Sequence, residues 1–160
     1  MFRGFVVDDN TDATAILMEA LAELAAVTIV GSADGEAAAI AWLTDPVNEW
    51  NMAIVDLQLG ANGSGYRVLS ALAARQPNQR VVVWTGGADA LARTRCRVLG
   101  CDRIFDRATE VADMLDYCMV ESEATAIRSP ASRVASGAAA TRPVSTKRFG
   151  VTSNLAAQVA

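Results

Sequence analysis

Residues 5–10 read FVVDDN, an apolar run that ends in two adjacent carboxylates, Asp8 and Asp9. A short apolar run bounded by polar residues is typical of a buried β-strand. Directly after it, residues 11–24 place apolar side chains at helical spacing, which predicts an amphipathic helix. A strand followed at once by a helix is the first half of a β–α–β unit, and the chain repeats this unit.

Five apolar runs of strand type alternate with five helical segments along the chain. The predicted strands cover residues 2–7, 27–30, 52–55, 80–84 and 103–105. The predicted helices cover residues 11–24, 34–43, 64–75, 88–99 and 109–119, with Asp34 and Thr109 as the expected caps of the second and the fifth. This alternation predicts an α/β fold in which helices cover both faces of a parallel sheet.

Polar side chains follow four of the five predicted strands at the point where each strand ends. The carboxyl ends of parallel strands share one edge of a sheet, and binding sites collect there. The residues expected at this edge are Asp8 and Asp9 after the first strand, Asp56 after the third, Thr85 after the fourth, and Asp106 and Arg107 after the fifth. Three ionised carboxylates close together repel one another, so we expect a bound cation, and Mg²⁺ suits oxygen ligands.

The composition excludes several classes of function. The chain contains no histidine, so it has neither a Ser-His-Asp triad nor a histidine metal ligand. Its three cysteines, Cys96, Cys101 and Cys118, include no CxxC pair, and we expect reduced thiols in a cytosolic protein. No apolar run reaches the roughly 18 residues that a membrane-spanning helix needs, and the acidic N-terminus is unlike a signal peptide.

Charge divides the chain into an acidic body and a basic tail. The whole chain carries a net charge of −4, whereas residues 122–160 hold five basic side chains and one acidic one. These residues are rich in Ala, Ser and Thr and show no sustained apolar period. We therefore expect one folded domain over residues 1–121. We expect a disordered tail over residues 122–160, too poor in apolar residues for an appended DNA-binding domain.

The segments VVDDN, IVDLQL, VVVWTGG and IFDRATE, each at the end of an expected strand, together resemble the receiver domain of bacterial two-component response regulators. The resemblance covers residues 2 to about 120 and is to the single-domain, CheY-like type. It implies a flavodoxin-like, doubly wound sheet of five parallel strands in the order 2-1-3-4-5, with five helices. It also implies a cytoplasmic bacterial signalling protein that takes part in phosphoryl transfer and self-dephosphorylation but is not a turnover enzyme.

The resemblance implies a phosphoacceptor and a metal site. Asp56 is the expected phosphoacceptor. The expected Mg²⁺ ligands are Asp8, Asp9, Asp56 and the backbone carbonyl of Gln58, with Asp8 acting on the metal through water.

The resemblance also implies a switch and partners. Thr85 and Arg107 are expected to stabilise the phosphoryl group, and Thr85 and Ile104 to occupy the switch positions. The donor would be a histidine kinase or a histidine phosphotransfer protein. An output partner would contact the face made by the fourth helix, the fifth strand and the fifth helix, and neither DNA nor a membrane is an expected partner.

Three features depart from the family's pattern. Arg107 stands where the family has lysine, and its larger planar group could grip a phosphoryl group or pair with Asp56 instead. Ile104 stands where an aromatic residue is usual, and the loop LGANGSG is one residue longer and lacks a proline. These departures keep open a second hypothesis, a pseudo-receiver that binds its partner without being phosphorylated. A third, a Mg²⁺-dependent phosphohydrolase, is disfavoured because such enzymes carry DxD rather than adjacent acids after the first strand.

Overall fold

The computed structural model describes residues 1–128, which build a five-stranded parallel sheet with helices on both faces. The strands are β1 (Phe2–Val7), β2 (Val27–Ala33), β3 (Met52–Val55), β4 (Arg80–Thr85) and β5 (Arg103–Asp106). The helices are α1 (Thr11–Leu24), α2 (Glu36–Thr44), α3 (Gly65–Ala71), α4 (Ala90–Val98) and α5 (Val111–Arg128). The strand order β2-β1-β3-β4-β5 confirms the predicted doubly wound fold.

Two apolar clusters lie on opposite faces of the sheet, because alternate residues of a strand point to opposite sides. In β4, Val81 and Val83 pack into the cluster shared with α2, α3 and α4, whereas Val82 and Trp84 pack into the cluster shared with α1 and α5. The central strand β3 is buried at every position. Since both faces are covered, the strands read as continuous apolar runs, and the polar groups are left to the edges of the sheet.

The ends of α2 and α3 differ from the sequence-based expectation. The predicted cap Asp34 is wrong: Gly35 is the N-terminal cap of α2, and it makes no side-chain cap hydrogen bond. Helix α3 ends at Ala71 instead of residue 75, and a series of tight turns leads from there to Pro77. The residue before a proline is disfavoured in helical geometry, which is consistent with the early end.

Helix α5 begins later and ends later than predicted. The predicted cap Thr109 is wrong, because the chain first makes a turn closed on the Asp106 carbonyl oxygen and the helix begins at Val111. The helix runs to residue 128, past the predicted domain boundary at 121. Ser122, predicted as the first tail residue, is buried, and its hydroxyl donates to the Ala25 carbonyl oxygen at 2.8 Å. The rest of the predicted tail, residues 129–160, lies outside the described residues.

Candidate functional site

The carboxyl edge of the sheet gathers the acids that follow β1 and β3. These strands pair in the register Val7↔Val55, and the Asp56 N–H donates to the Val7 carbonyl oxygen at 2.8 Å. Asp8 and Asp56 therefore leave their strands side by side. Both acids are buried, at 5% and 7% exposure, and Thr85 at the end of β4 is 1% exposed. The structure thus brings together the polar groups that the sequence places at three strand ends.

The two oxygens of the Asp56 carboxylate have different partners. Oδ1 accepts hydrogen bonds from the Thr85 hydroxyl at 2.7 Å and from the Gln58 N–H at 3.1 Å. Oδ2 accepts from Nη2 of Arg107 at 3.0 Å. Hydrogen bonds to a charged acceptor are stronger than those between neutral groups, so the carboxylate is held in one orientation. One oxygen faces the uncharged donors, and the other faces the guanidinium.

Arg107 bridges two acids through a single nitrogen. Its Nη2 lies 2.7 Å from Asp8 Oδ2 and 3.0 Å from Asp56 Oδ2, and the side chain is 27% exposed. The backbone N–H of Arg107 donates to the Thr85 carbonyl oxygen at 2.9 Å, which fixes the start of the side chain beside β4. Of the two geometries that the sequence left open, the structure shows the pairing with Asp56. Among the described residues, Nε of Arg107 is buried without a hydrogen-bond partner.

Burial destabilises the ionised form of Asp8. Burial raises the pKa of the Asp8 carboxyl above its ordinary value of 3.8, and the negative charge of Asp56 adds to the rise. The Asn10 N–H, which donates to Asp8 Oδ1 at 2.9 Å, and the Arg107 charge oppose it. A buried carboxylate with a raised pKa is stabilised in its ionised form by any additional cation. The site therefore favours the binding of positive charge.

The three acids of the site lie close enough together to contact one metal ion. Ligand oxygens of Asp8, Asp9 and Asp56 all lie within 4.8 Å of one another, and Asp9 is exposed at the mouth of the site. This set contains only oxygen donors, which fits Mg²⁺ or Ca²⁺ better than a softer metal. Gln58 lies exposed two residues after Asp56, where its carbonyl could complete the set.

Two glycines, Gly60 in the loop between β3 and α3 and Gly65 at the start of α3, let the chain pass close to Asp9 and Asp56. Gly60 has φ +54°, and a Cβ there would lie 2.8 Å from Oδ2 of Asp9. A Cβ at Gly65 would lie 2.0 Å from the Asp56 carbonyl oxygen. A larger residue at Gly65 would therefore collide with the backbone of Asp56, and one at Gly60 would displace the Asp9 side chain. The glycine-rich sequence LGANGSG predicted a loop here, but it did not predict that the loop would lie close to the acids.

Glu36 ties the same loop to α2. Its Oε2 accepts from the Ser64 N–H at 2.9 Å, across 28 residues of sequence. The isolated antiparallel bridge between Gln58 and Ser64 closes the loop on itself. The loop that flanks Asp56 is therefore held at both ends, although local sequence patterns give no signal for the Glu36 contact.

A network of charged groups joins the loop that follows Thr85 to the loop that carries Arg107. Arg93 of α4 pairs with Glu110 Oε2 at 2.6 Å and also donates to the carbonyl oxygens of Ala88 and Ile104, at 2.9 and 3.1 Å. Glu110 Oε2 accepts from the Asp106 N–H at 2.6 Å. Asp106 in turn accepts from the Ala88 N–H at 3.0 Å. These contacts, which the sequence did not predict, fasten α4 to β5 next to the candidate site.

Ile104, the predicted switch position, lies half-buried in β5. It packs against the cluster shared with α2, α3 and α4, whereas the next residue, Phe105, packs on the opposite face. Its carbonyl oxygen is one of the acceptors for Arg93. The structure therefore places Ile104 at the seam between α4 and β5, and its role as a switch stays a prediction.

The chain matches the family model of the response regulator receiver domain over residues 5–118. It belongs to the response regulator receiver domain family, a family of two-component signalling proteins. No curated protein matches the chain. Within the described residues, no helix has the length and apolar character needed to cross a membrane.

Solved structures of response regulators share the fold. The signal receiver domain of a DNA binding response regulator from Colwellia psychrerythraea 34H is 17% identical with a TM-score of 0.67, over 77% of this chain and 99% of that one. A response regulator from Burkholderia pseudomallei, solved with a phosphorylated aspartic acid, a calcium ion and citrate, is 24% identical with a TM-score of 0.64, over 79% and 72%. The response regulator domain of Thermotoga maritima CheB is 16% identical with a TM-score of 0.61, over 75% and 97%. At these identities the likeness establishes the fold.

Proposed function

We propose that the chain is a single-domain response regulator that accepts a phosphoryl group on Asp56 from a histidine kinase or a histidine phosphotransfer protein. The observation that carries the proposal is the division of contacts at Asp56. The hydroxyl of Thr85 and the N–H of Gln58 hold Oδ1, which leaves Oδ2 on the side of Arg107 and of the other two acids. A carboxylate fixed in this way presents one oxygen as a nucleophile to a phosphoryl group that enters among positive charges.

In the proposed transfer, Asp56 Oδ2 forms a bond to phosphorus while the bond between phosphorus and the donor's histidine nitrogen breaks. The transferring group carries its charge on three oxygens, so catalysis consists mainly of positioning and charge stabilisation. Arg107 would exchange its contact with Oδ2 for a phosphoryl oxygen, since its guanidinium has more donors than the carboxylates use. Thr85 would exchange its contact with Oδ1 in the same way and move toward the phosphoryl group.

A divalent cation such as Mg²⁺ belongs to the proposal. Asp8, Asp9 and Asp56 would hold it, with the Gln58 carbonyl and with Asp8 acting through water. Bound there, it would supply further positive charge to the phosphoryl oxygens. The same charge would offset the cost of keeping the buried Asp8 ionised.

The signal would leave through protein contact at the face formed by α4, β5 and α5. Thr85 lies directly before the loop into α4, and Ile104 lies at the seam between that helix and β5. A movement of Thr85 toward the phosphoryl group would therefore change the packing next to the start of α4. Each phosphoryl group would be received once and later lost to water, so the chain would act as a switch in the bacterial cytoplasm, not as a turnover enzyme.

One observation favours a second candidate, a pseudo-receiver that binds its partner without phosphorylation. Nη2 of Arg107 pairs with both Asp8 and Asp56. It thereby neutralises the carboxylates that would bind a cation and accept a phosphoryl group. An arginine that keeps this position would block the acceptor oxygen. The two candidates therefore differ in whether Arg107 releases Asp56 when a phosphodonor and Mg²⁺ are present.

Intact-protein mass after incubation with acetyl phosphate and Mg²⁺ distinguishes the candidates. The proposal predicts one added phosphoryl group on wild type and on the control Asp113→Asn, which alters an exposed acid of α5, and none on Asp56→Asn. Addition to Arg107→Lys but not to wild type would support the pseudo-receiver and identify the arginine as its cause. Absence of addition from both would also favour the pseudo-receiver, and addition to Asp56→Asn would overturn Asp56 as the acceptor.

A further inference from the structure

The end of α4 has a geometry that brings two cysteines together. Gly100 has φ +84°, and its N–H donates to the Arg97 carbonyl oxygen at 3.1 Å. The N–H of Cys101 donates to the Cys96 carbonyl oxygen, also at 3.1 Å. This pair of bonds around a left-handed glycine is the Schellman motif, in which the first residue of the motif and the residue after the glycine contact each other. Here both residues are cysteines.

The two thiols differ in their access to solvent. Cys96 is fully buried in the cluster shared with α2, α3 and α4, whereas Cys101 is half-buried and partly open to solvent. The bond from the Cys101 N–H to the Cys96 carbonyl oxygen holds the two residues beside each other. The short connection between them, RVLG, folds back through the Schellman motif, so the residues that carry the thiols are adjacent. Oxidation to a disulfide would therefore need little backbone movement.

The surroundings favour Cys101 as the reactive thiol. The neighbouring Cys96 thiol lowers the pKa of the Cys101 thiol, and the charges of Arg75 and Arg97 lower it further, against the opposing effects of burial and of Asp102. Arg75 is fixed beside this turn, because its Nη2 donates to the Gly100 carbonyl oxygen at 2.8 Å. By contrast, the neighbouring Cys101 thiol and burial raise the pKa of Cys96. A thiolate is the nucleophile in thiol chemistry, so attack should begin at Cys101.

We propose that Cys96 and Cys101 form a reversible peroxide-sensitive thiol pair. The Cys101 thiolate attacks one oxygen of hydrogen peroxide, the O–O bond breaks, and a sulfenic acid and hydroxide form. The Cys96 sulfur then attacks the Cys101 sulfur while its proton passes to the sulfenic hydroxyl, which leaves as water as the S–O bond breaks. The proton released by Cys101 neutralises the hydroxide. Two thiols are oxidised to one disulfide and one peroxide is reduced to two waters.

The pair lies at the edge of the sheet opposite to Asp56. Cys101 lies shortly before Arg103, the first residue of β5, whereas the acids lie at the carboxyl ends of the strands. Thiol oxidation and phosphorylation can therefore be tested separately, and this inference does not rest on the proposed function. The disulfide would fix the end of α4, the helix that Arg93 fastens to β5 at its other end.

The test uses the folded full-length chain with its native cysteines. Native iodoacetamide should modify Cys101 about tenfold faster than Cys96 or Cys118, because it is the most exposed and most acidic of the three thiols. In a separate sample without iodoacetamide, hydrogen peroxide should lower the intact mass by the mass of two hydrogens, and dithiothreitol should restore it. Peptide mapping without reductant should find the Cys96–Cys101 bridge, with Cys118 as the unmodified internal control.

Two variants separate the roles of the pair. Cys96→Ala should stop at the sulfenic acid and take up one dimedone, whereas Cys101→Ala should not react at the same dose of peroxide. The proposal is overturned if wild type gains oxygen without losing two hydrogens, if the bridge involves Cys118, or if Cys101→Ala reacts as fast as wild type. Should Cys96→Ala fail to fold, the iodoacetamide and mapping results on wild type still decide the matter.

Discussion

Thr85→Val isolates the hydrogen bond that orients the Asp56 carboxylate. Valine matches the shape of threonine, so the substitution removes the hydroxyl without opening a cavity. The lost bond is 2.7 Å long, and it joins a residue with 1% exposure to an acid with 7% exposure. Water cannot readily replace the donor at such a buried position. The variant therefore leaves one oxygen of a buried carboxylate with a single donor, the N–H of Gln58.

The expected cost follows from the remaining contacts. A hydrogen bond to a charged acceptor contributes roughly 1.5–3 kcal/mol to stability. Gln58 still donates to Oδ1, and Arg107 still neutralises Oδ2, so the lower end of this range applies. We expect Thr85→Val to lower the free energy of unfolding by about 1.5 kcal/mol.

Thr14→Val is the matched control, because the same chemical change should have the opposite sign there. Thr14 is also buried, at 8% exposure, but within the described part of the chain its hydroxyl has no hydrogen-bond partner. Removing an unpaired buried hydroxyl should stabilise the fold by up to about 1 kcal/mol. Urea unfolding at pH 7 without divalent cations measures both variants against wild type. A change in stability of less than about 0.5 kcal/mol for Thr85→Val, or a Thr14→Val variant as destabilised as Thr85→Val, would contradict the role of the Thr85 hydroxyl.

Three further predictions concern the surroundings of the site. Without metal, Arg107→Ala should lower the free energy of unfolding by about 1–3 kcal/mol, because the buried acids lose their neutralising cation. The same variant should bind Mg²⁺ more tightly in a tryptophan-fluorescence titration, and weaker Mg²⁺ binding would contradict this. Gly60→Ala should weaken Mg²⁺ binding several-fold, because a Cβ 2.8 Å from the Asp9 carboxylate displaces it, whereas Gly86→Ala has no atom within 4 Å of its new Cβ and should bind normally. The guanidinium paired with Glu110 holds the pKa of that carboxyl below its ordinary 4.5, so its contribution is present above this value and lost as pH falls. Glu110→Gln should therefore be less stable than wild type at pH 7 in urea unfolding, and the difference should shrink toward zero on acidification; a constant difference would contradict the assignment.

The fold and the membership of the site could be predicted because both depend on local patterns. An apolar run followed by an acid marks a buried strand and the edge at which it ends. Parallel strands share that edge, so Asp8, Asp56 and Thr85 had to lie near one another once the strands were assigned. The proximity of these residues follows from the topology, without knowledge of any side-chain contact.

Features that depend on distant contacts could not be predicted in this way. Helix α5 continues beyond residue 121, where the hydroxyl of Ser122 donates to the Ala25 carbonyl oxygen, a partner 97 residues away. Thr109 does not cap α5, because the N–H groups of Thr109 and Glu110 both donate to the Asp106 carbonyl oxygen at the end of β5. Likewise, the sequence identified Arg107 as a cation at the site, but it did not predict that one guanidinium nitrogen would contact both Asp8 and Asp56.

Locating the phosphoryl group in the wild-type chain shows directly whether Asp56 accepts it. Borohydride reduces an aspartyl phosphate to homoserine, and peptide mass spectrometry then identifies the converted position. After treatment with acetyl phosphate and Mg²⁺, we expect homoserine at position 56 and unchanged aspartate at Asp8 and Asp9. Conversion at another acid, or phosphorylated protein without homoserine at position 56, would contradict it.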